Sequence, residues 1–168
     1  YLTVAQSRTA GHGAAMKSVV LLTRTTRVLS RTAATNDCDG CCINNDQGPV
    51  TLTNGSVMAH IVQQGGGSNN YEGTVTLTNS TVSGNTGMNG GGINNNVGTV
   101  TLTNSIVANN PSGGDCVATT PLPSQGYNLN GDNSCGLTED TDISTTYPKL
   151  GPPRGNGAPT PHLHLIPI

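Results

Sequence analysis

The densest group of chemically reactive side chains lies near residue 40. Asp37, Cys38, Asp39 and Cys41 fall within five consecutive positions. Two thiolates separated by two residues have the spacing of a zinc-binding pair. No second Cys or His pair follows at the distance of a zinc motif, so an alternative stays open. In that alternative, Cys41 and Cys42 replace two glycines of a later repeat, and one of them is bonded to Cys38.

A pair of imidazoles lies near the end of the sequence. His162 and His164 are separated by one leucine, so an extended strand would place both on one face. Such a pair is a weak metal site that needs ligands from elsewhere in the protein. The alternative is that both side chains are solvated in a segment rich in proline.

Carboxylates that could bind Ca²⁺ or act as general acids and bases lie only toward the two ends of the chain. The candidates are Asp37, Asp39 and Asp46 on the N-terminal side, with Arg31 as the accompanying basic residue, and Asp115, Glu139, Asp140 and Asp142 on the C-terminal side. Between residues 47 and 114 the only acid is Glu72, and Lys and Arg do not occur there. The middle of the chain is therefore a poor active site for polysaccharide cleavage, which needs clustered carboxylates.

A repeat with a constant step predicts the elements that position these groups. The phrase Gly-Thr-Val-Thr-Leu-Thr-Asn at 73–79 recurs at 98–104, and the copy at 48–54 differs only at Pro49. A second phrase, which ends in two asparagines, recurs with the same step at 40–45, 65–70 and 90–95. A fixed period of about 25 residues is typical of a solenoid whose turns each bury one face of the next.

The alternation within the repeat predicts strands whose side chains stack in columns. Val and Leu alternate with Thr, so the apolar residues point inward and the threonines outward. The predicted inward columns are Val50/Val75/Val100, Leu52/Leu77/Leu102, Val57/Val82/Val107 and Ile43/Ile93, the last broken by Ser68. We expect Asn54, Asn79 and Asn104 to continue the inward phase as an amide ladder. Asn44/Asn69/Asn94 and Asn45/Asn70/Asn95 are expected at the opposite bend, where asparagine tolerates left-handed backbone angles.

The outward threonines form a predicted binding face. It consists of Thr51, Thr53, Thr74, Thr76, Thr78, Thr99, Thr101 and Thr103. The spacing would be about 4.8 Å between coils and roughly 6.7 Å along each strand. Such a grid resembles the water-ordering faces of β-solenoid ice-binding proteins, although Thr is also an ordinary exposed strand residue. Aromatic residues that could stack on sugar rings are few: Tyr71, Tyr127 and Tyr147.

These patterns predict an all-β protein, a right-handed parallel β-helix of about four to six coils in a single domain. Residues 1–39 would form irregular coils, 40–114 regular coils, and 115–168 a C-terminal cap with a proline-rich tail. The formal net charge of −2 gives no basis for binding nucleic acid. No apolar run approaches the roughly 20 residues of a membrane-spanning helix.

Several motifs together resemble bacterial right-handed β-helix proteins of the choice-of-anchor surface class, which share the pectate-lyase-like fold. Beside the Thr and Gly-Asn phrases, the matches are Gly114-Asp115-Cys116, Gly126-Tyr127-Asn128-Leu129, Ser134-Cys135-Gly136-Leu137, Leu150-Gly151-Pro152 and Asn156-Gly157-Ala158-Pro159-Thr160. The resemblance implies a secreted or cell-surface protein and a disulfide between Cys116 and Cys135. Closing a loop of about 20 residues would contribute on the order of 3 kcal/mol.

The function expected first is a non-enzymatic surface module for adhesion or binding, with a polysaccharide or another surface ligand as partner. The alternative is a polysaccharide lyase or hydrolase on the same scaffold, for which Ca²⁺ would be the cofactor; otherwise no cofactor is expected. Ice binding through the threonine grid is the third reading. An uncapped N-terminal coil would also favour end-to-end self-association.

Overall fold

The computed structural model describes residues 17–18, 22–30, 43–45, 47–62, 65–145 and 150–151. Within these ranges the chain is built from strands, turns and bends, without a helix. The strands, in chain order, are β1 (Lys17–Ser18), β2 (Leu22–Ser30), β3 (Ile43–Asn45), β4 (Pro49–Met58), β5 (Ser68–Asn70), β6 (Thr74–Thr78), β7 (Thr81–Ser83), β8 (Ile93–Asn95), β9 (Thr99–Thr103), β10 (Ile106–Ala108), β11 (Cys116–Ala118), β12 (Leu129–Asn130) and β13 (Ile143–Ser144).

The strands form parallel rows that run along a solenoid, which confirms the predicted parallel β-helix. One sheet has the order β1-β3-β5-β8-β11. In the other sheet, the long strand β4 belongs to two rows, because its first half pairs with β6 and its second half with β7. The first of these rows continues to β9, and the second continues through β10 and β12 to β13. A regular coil therefore contributes three short strands, one to each row.

The register between regular coils has the same step in all three rows, and this step is the period of the sequence repeat. Val50 pairs with Val75 and Val75 with Val100. The column that begins at Leu52 and the column that begins at Val57 follow the same step. The nine residues of these columns are 0–2% exposed: Val50, Val75, Val100, Leu52, Leu77, Leu102, Val57, Val82 and Val107. Burying a Val or Leu side chain contributes about 1.5–3 kcal/mol, so these columns are the main source of stability. The predicted core is confirmed.

At the N-terminal side, the register changes. β2 pairs with β4 in parallel, with Leu22 beside Val50 and Leu29 beside Val57. The step from position 22 to position 50 exceeds the step from 50 to 75, so the chain between β2 and β4 is longer than the corresponding segment of a regular coil. About three regular turns are described, with partial turns on either side.

The asparagine at the end of each Thr-rich phrase does not continue the inward phase of the preceding leucine, so that prediction is wrong. Asn54, Asn79 and Asn104 are exposed and have φ angles of 53°, 50° and 45°. A left-handed residue turns the chain, and the serine that follows Asn79 or Asn104 is the one that becomes buried. The expected amide ladder is present, but on the surface: the Nδ2 of Asn79 donates to Asn54 Oδ1 at 3.0 Å, and that of Asn104 to Asn79 Oδ1 at 2.8 Å.

The other two asparagine columns are present as predicted, Asn44/Asn69/Asn94 and Asn45/Asn70/Asn95. They lie in strands, however, and not at a left-handed bend, so that part of the prediction is wrong. Asn45, Asn70 and Asn95 are buried residues of β3, β5 and β8. Asn45 Nδ2 donates to Asn70 Oδ1 at 2.9 Å, and Asn70 Nδ2 donates to Asn95 Oδ1 at 2.8 Å. The same amides also donate to carbonyls of Gly48 and Gly73. These bonds satisfy the buried Nδ2 groups of Asn45 and Asn70, whereas Asn45 Oδ1 has no partner among the described residues.

This internal ladder explains one glycine of the repeat. A Cβ atom at Gly73 would clash with Asn45 Nδ2 and with the carbonyl oxygen of Gly48. A Cβ atom at Gly98 would meet Asn70 Nδ2 and Gly73 O in the same way. At these two positions, the close approach of the preceding coil therefore requires glycine.

Residues beyond 114 still add to the stack before they close it. Cys116 pairs with Ile93 in β11, Ser124 forms a parallel bridge with Leu102, and Leu129 pairs with Ile106 in β12. Leu122 and Cys135 join the core cluster at this end. The last coil thus covers the apolar side chains that the coil before it would expose.

Ser68 is the weak point of one core column. It pairs with Ile43 on one side and Ile93 on the other, is 1% exposed, and its Oγ atom has no hydrogen-bond partner. A buried hydroxyl without a partner lowers stability, and serine fills less of the column than isoleucine.

We therefore expect Ser68→Val to raise the free energy of unfolding by about 1–2 kcal/mol, because it removes the unpaired hydroxyl and fills the column. Urea unfolding followed by circular dichroism measures the change. Ser68→Ala is the control that removes the hydroxyl without adding volume, and it should give a smaller gain. A Ser68→Val protein less stable than the parent would show that this coil has no room for the larger side chain.

Candidate functional site

The threonine face is the outer surface of the row formed by β4, β6 and β9. Thr51 pairs with Thr76 and Thr76 with Thr101, while Thr53, Thr78 and Thr103 form a second column. These six side chains are half-buried, and Thr74 and Thr99 are exposed beside them. Pro49 occupies the remaining place in the Thr74 column. All eight predicted residues therefore lie on one side of one sheet row.

The face extends by backbone register beyond the three regular coils. In β2, Thr23 pairs with Thr51 and Thr25 with Thr53. At the other end, the backbone of Leu102 bonds to the next coil, since its N–H donates to Pro123 O at 3.0 Å and its carbonyl accepts from Gln125 N at 2.8 Å. The sheet row thus continues on both sides of the eight threonines.

The asparagine corner, which consists of Asn54, Asn79 and Asn104, borders the threonine face directly. Each of these residues follows the last threonine of its strand. The exposed amide ladder fixes the orientation of their side chains relative to the sheet. The Oδ1 atom of Asn104, the last carbonyl of the ladder, accepts no hydrogen bond from the described residues.

Tyr127 takes the position of the corner asparagine in the last coil. Asn104 N donates to Gly126 O at 3.0 Å, and Ser105 N donates to Asn128 Oδ1 at 2.8 Å, in the manner that Ser80 N donates to Ser105 Oγ. Tyr127 has a φ of 60° and is 70% exposed. Sequence reasoning counted this tyrosine only as one of few aromatic residues. Alignment of Tyr127-Asn128 with the Asn-Ser pairs of the earlier coils would have found its position.

The C-terminal carboxylates that were candidates for catalysis are hydrogen-bonded to the protein at the end of the stack. Asp115 is 2% exposed, and its Oδ1 accepts from Asn110 Nδ2 at 2.8 Å and from Asn110 N at 3.2 Å. Its Oδ2 accepts from Asn130 Nδ2 at 3.1 Å and Gly131 N at 2.9 Å. Asp142 Oδ1 accepts from Asn128 N at 2.9 Å and from Asn128 Nδ2 at 3.0 Å. Glu139 and Asp140 are exposed.

Asp115 terminates an internal column of polar residues. His60 N donates to Asn85 Oδ1 at 3.1 Å, and Asn85 N donates to Asn110 Oδ1 at 3.0 Å. Asn110 N then donates to the Asp115 carboxylate. His60 therefore occupies the column of Asn85 and Asn110, at the same step of 25 residues. The carboxylate supplies an acceptor where no further coil offers an amide oxygen.

The pKa values of the two neighbouring aspartates move in opposite directions. Burial raises the pKa of Asp115 to about 6, against hydrogen bonds from Asn110 that lower it, and the nearby charge of Asp132 raises it further. For Asp132, burial raises the pKa, but hydrogen bonds from Ser134 and from the backbone N–H of Asp115 outweigh this and hold it below the ordinary value. Compared with an ordinary aspartate, Asp115 thus keeps its proton to a higher pH, and Asp132 loses its proton at a lower pH.

The disulfide between Cys116 and Cys135 is present, with a Cα–Cα distance of 4.9 Å and a sequence separation of 19. Both cysteines are buried in the core cluster. Cys116 also ends the column that contains Ile43, Ser68 and Ile93. The bridge therefore connects the last strand of the first sheet to the closing segment.

The remaining candidates lie outside the described residues. They are Arg31, Asp37, Asp39 and Asp46 of the catalytic prediction, and Cys38, Cys41, His162 and His164 of the metal prediction. Within the part of the chain that the structure describes, no three His, Cys, Asp or Glu side chains come together as a metal site. The same part contains no helix long and apolar enough to cross a membrane.

The fold and the site define a β-solenoid with one uncharged, threonine-rich outer face. Comparisons with protein-family models, with curated proteins and with solved structures gave no significant match to the chain.

Asp115 should make stability depend on pH with an unusual sign. Because its pKa in the folded protein, about 6, lies above the ordinary 3.8, the folded protein binds the proton more tightly than the unfolded chain. The stabilisation from this group is complete below about pH 3.8 and is lost as the pH rises to about 6. We expect the difference in unfolding free energy between the parent and Asp115→Asn to shrink over this range, as measured by urea unfolding.

Asp132→Asn is the matched control for this pH dependence. Since the pKa of Asp132 is lowered from 3.8, its stabilisation is present above that pH and is lost on acidification. The difference between parent and Asp132→Asn should therefore grow as the pH rises toward 3.8, below the range in which Asp115 titrates. If the Asp115→Asn difference instead grew between about pH 3.8 and pH 6, the assignment of a raised pKa to Asp115 in the folded protein would be wrong.

Proposed function

We propose that this chain is a non-catalytic binding module of a secreted or cell-surface β-helix protein, and that the threonine face contacts an extended ligand or surface. The observation that carries the proposal is the register of the eight threonines on one sheet row. Repeated contacts of one chemical type suit a ligand that itself repeats. A single hydroxyl contributes little to the binding free energy, so affinity would come from the threonines of several coils together.

The rigidity of the face supports this proposal. Beneath it, Val50, Val75 and Val100 and the adjacent leucines are almost fully buried, and the asparagine corner braces one border. A face held in this way loses little conformational entropy when it binds. The threonines themselves are β-branched and have restricted rotamers, which reduces the cost further.

The resemblance to choice-of-anchor surface proteins agrees with a binding role. Its C-terminal motifs include Cys116 and Cys135, and a disulfide is typical of an oxidising compartment outside the cytosol. We therefore place the protein in this bacterial surface class as part of the proposal. A polysaccharide lyase or hydrolase is the competing function. The cap carboxylates do not support it, since Asp115 and Asp142 are engaged by backbone and side-chain donors.

The double variant Thr76→Tyr/Thr101→Tyr tests the face. We expect it to lose most of the binding of the parent to insoluble polysaccharides, roughly tenfold or more, because two bulky rings would hold a flat ligand away from the sheet. Co-sedimentation with cellulose, chitin, mannan, polygalacturonate and alginate measures the binding. Release of soluble sugar in the same mixtures measures cleavage.

Met88→Tyr/Val97→Tyr is the control double variant, because both residues are exposed at bends outside the threonine face. It should bind as the parent does. Equal binding by all three proteins would eliminate the threonine face as the binding surface. Depolymerisation of polygalacturonate or alginate by the parent would replace the binding function with the enzymatic one.

Ice is a second candidate ligand, favoured by the unbroken threonine columns of three coils. A flat array of hydroxyl and methyl groups with spacings of about 4.8 Å and roughly 6.7 Å can hold water molecules in an ordered layer. If ice is the ligand, the parent should show thermal hysteresis, and Thr76→Tyr/Thr101→Tyr should abolish it. Parent protein without thermal hysteresis would exclude this candidate.

A further inference from the structure

Tyr127 combines two features that do not stabilise the fold. Its φ of 60° is in the left-handed region, which asparagine tolerates and tyrosine disfavours. Its side chain is 70% exposed, so burial does not compensate for the backbone conformation. The three earlier coils place Asn54, Asn79 and Asn104 at this corner, so the repeat itself shows the residue that suits the backbone.

The structure around Tyr127 holds this conformation in place. Tyr127 N donates to Thr141 Oγ1 at 3.0 Å, and the neighbouring Asn128 is bound to Asp142 and to Ser124. An unfavourable backbone conformation that is fixed by its surroundings and leaves the side chain exposed is characteristic of functional positions.

On the side of the threonine face and the asparagine corner, the surface that Tyr127 adjoins is uncharged, whereas on the other side Tyr127 is bonded to Thr141, whose neighbours Asp140 and Asp142 are acidic. The threonine face supplies hydroxyl groups, and the asparagine corner supplies amides, of which Asn104 Oδ1 has no donor among the described residues. Gln125, which is exposed, adds a further amide at the same end. Between residues 32 and 148 the chain contains no Lys or Arg. Acidic polymers such as polygalacturonate and alginate would therefore find no Lys or Arg to pair with among the described residues from 43 to 145.

These properties match one class of ligand. A neutral pyranose polymer carries hydroxyl groups that bond to amides and threonines, and each ring has an apolar C–H face that packs on an aromatic ring. Tyrosine provides such a ring together with a hydroxyl group. A ligand that follows the solenoid axis would meet an equivalent corner residue in every coil, about every 4.8 Å.

We propose that Tyr127 and the adjacent asparagine corner form a subsite for a neutral, extended pyranose polymer, with one sugar ring packed on Tyr127. This assignment rests on the proposed binding function and makes its ligand class specific. Tyr127 selects polymers by the shape of their sugar ring and binds one end of the bound segment. The threonine face contacts the remainder of the polymer.

Tyr127→Asn separates binding from folding, because it restores the residue of the earlier coils. We expect the variant to be at least as stable as the parent toward urea, and to bind cellulose, chitin or mannan roughly tenfold more weakly, as expected for loss of one aromatic contact. Tyr127→Phe keeps the ring and should retain binding within about threefold of the parent, a small effect on the affinity scale. Co-sedimentation isotherms for the full chain measure these affinities.

Tyr71→Asn is the matched control, since Tyr71 is a second exposed tyrosine, at the bend before β6 and across the threonine face from the corner. It should bind as the parent does. An equal loss in Tyr71→Asn would indicate non-specific adsorption through exposed rings and would overturn the subsite. Unchanged binding by Tyr127→Asn would also overturn it. In that case, loss of binding in Thr76→Tyr/Thr101→Tyr would still support the binding module.

Preference among polymers tests the ligand class. The parent should bind at least one of the three neutral polymers and should show no binding to polygalacturonate or alginate at low salt, where electrostatic attraction would be strongest. Binding restricted to the acidic polymers would contradict the proposed subsite but not the binding function. Failure to bind any of the five would overturn both.

Discussion

The structure depends on one constraint, which is the stacking of each coil on its neighbour in a constant register. Parallel pairing places every side chain beside its own copy, so a residue type that fits once fits repeatedly. Apolar positions become continuous buried columns, as with Val75 and Leu77. Because each coil contacts only its neighbours, one unsuitable residue such as Ser68 weakens one layer and leaves the rest of the stack intact.

The same constraint decides where polar groups go. An amide in a buried column can bond to its copy above and below, which is why Asn70 is tolerated at 0% exposure. Two other internal polar columns end in carboxylates of the last coil. The carboxylate of Asp115 accepts hydrogen bonds from Asn110, and the carboxylate of Asp142 accepts hydrogen bonds from Asn128. The cost is visible in the raised pKa of Asp115, whose charge is buried at the end of the column.

The two sides of each strand are under different constraints, and the functional proposals depend on this difference. Inward side chains are determined by stacking, and outward side chains are free to interact with a ligand. The outward side of β6 and β9 is uniform, uncharged and bordered by the exposed ladder of Asn79. Tyr127 departs from that uniformity at a position where the backbone favours asparagine. The carboxylates Asp115 and Asp142 of the closing coil bond to polar groups of the stack.

The sequence by itself determined the period, the strand phases and the buried Val and Leu columns, because local alternation and a fixed repeat leave only one way to stack. It also placed the eight threonines on one outer row. The resemblance supplied the Cys116–Cys135 pair. Only the tertiary structure decided the roles of the asparagines and of the cap. Asn79 turns outward because of a left-handed φ, which the sequence pattern does not encode, and Asn70 is buried because the next coil supplies its partner. The position of Tyr127 depends likewise on a coil of different length, which interrupts the repeat. Hydrogen bonds from Asn104 N to Gly126 O and from Ser105 N to Asn128 Oδ1 bring this coil into register.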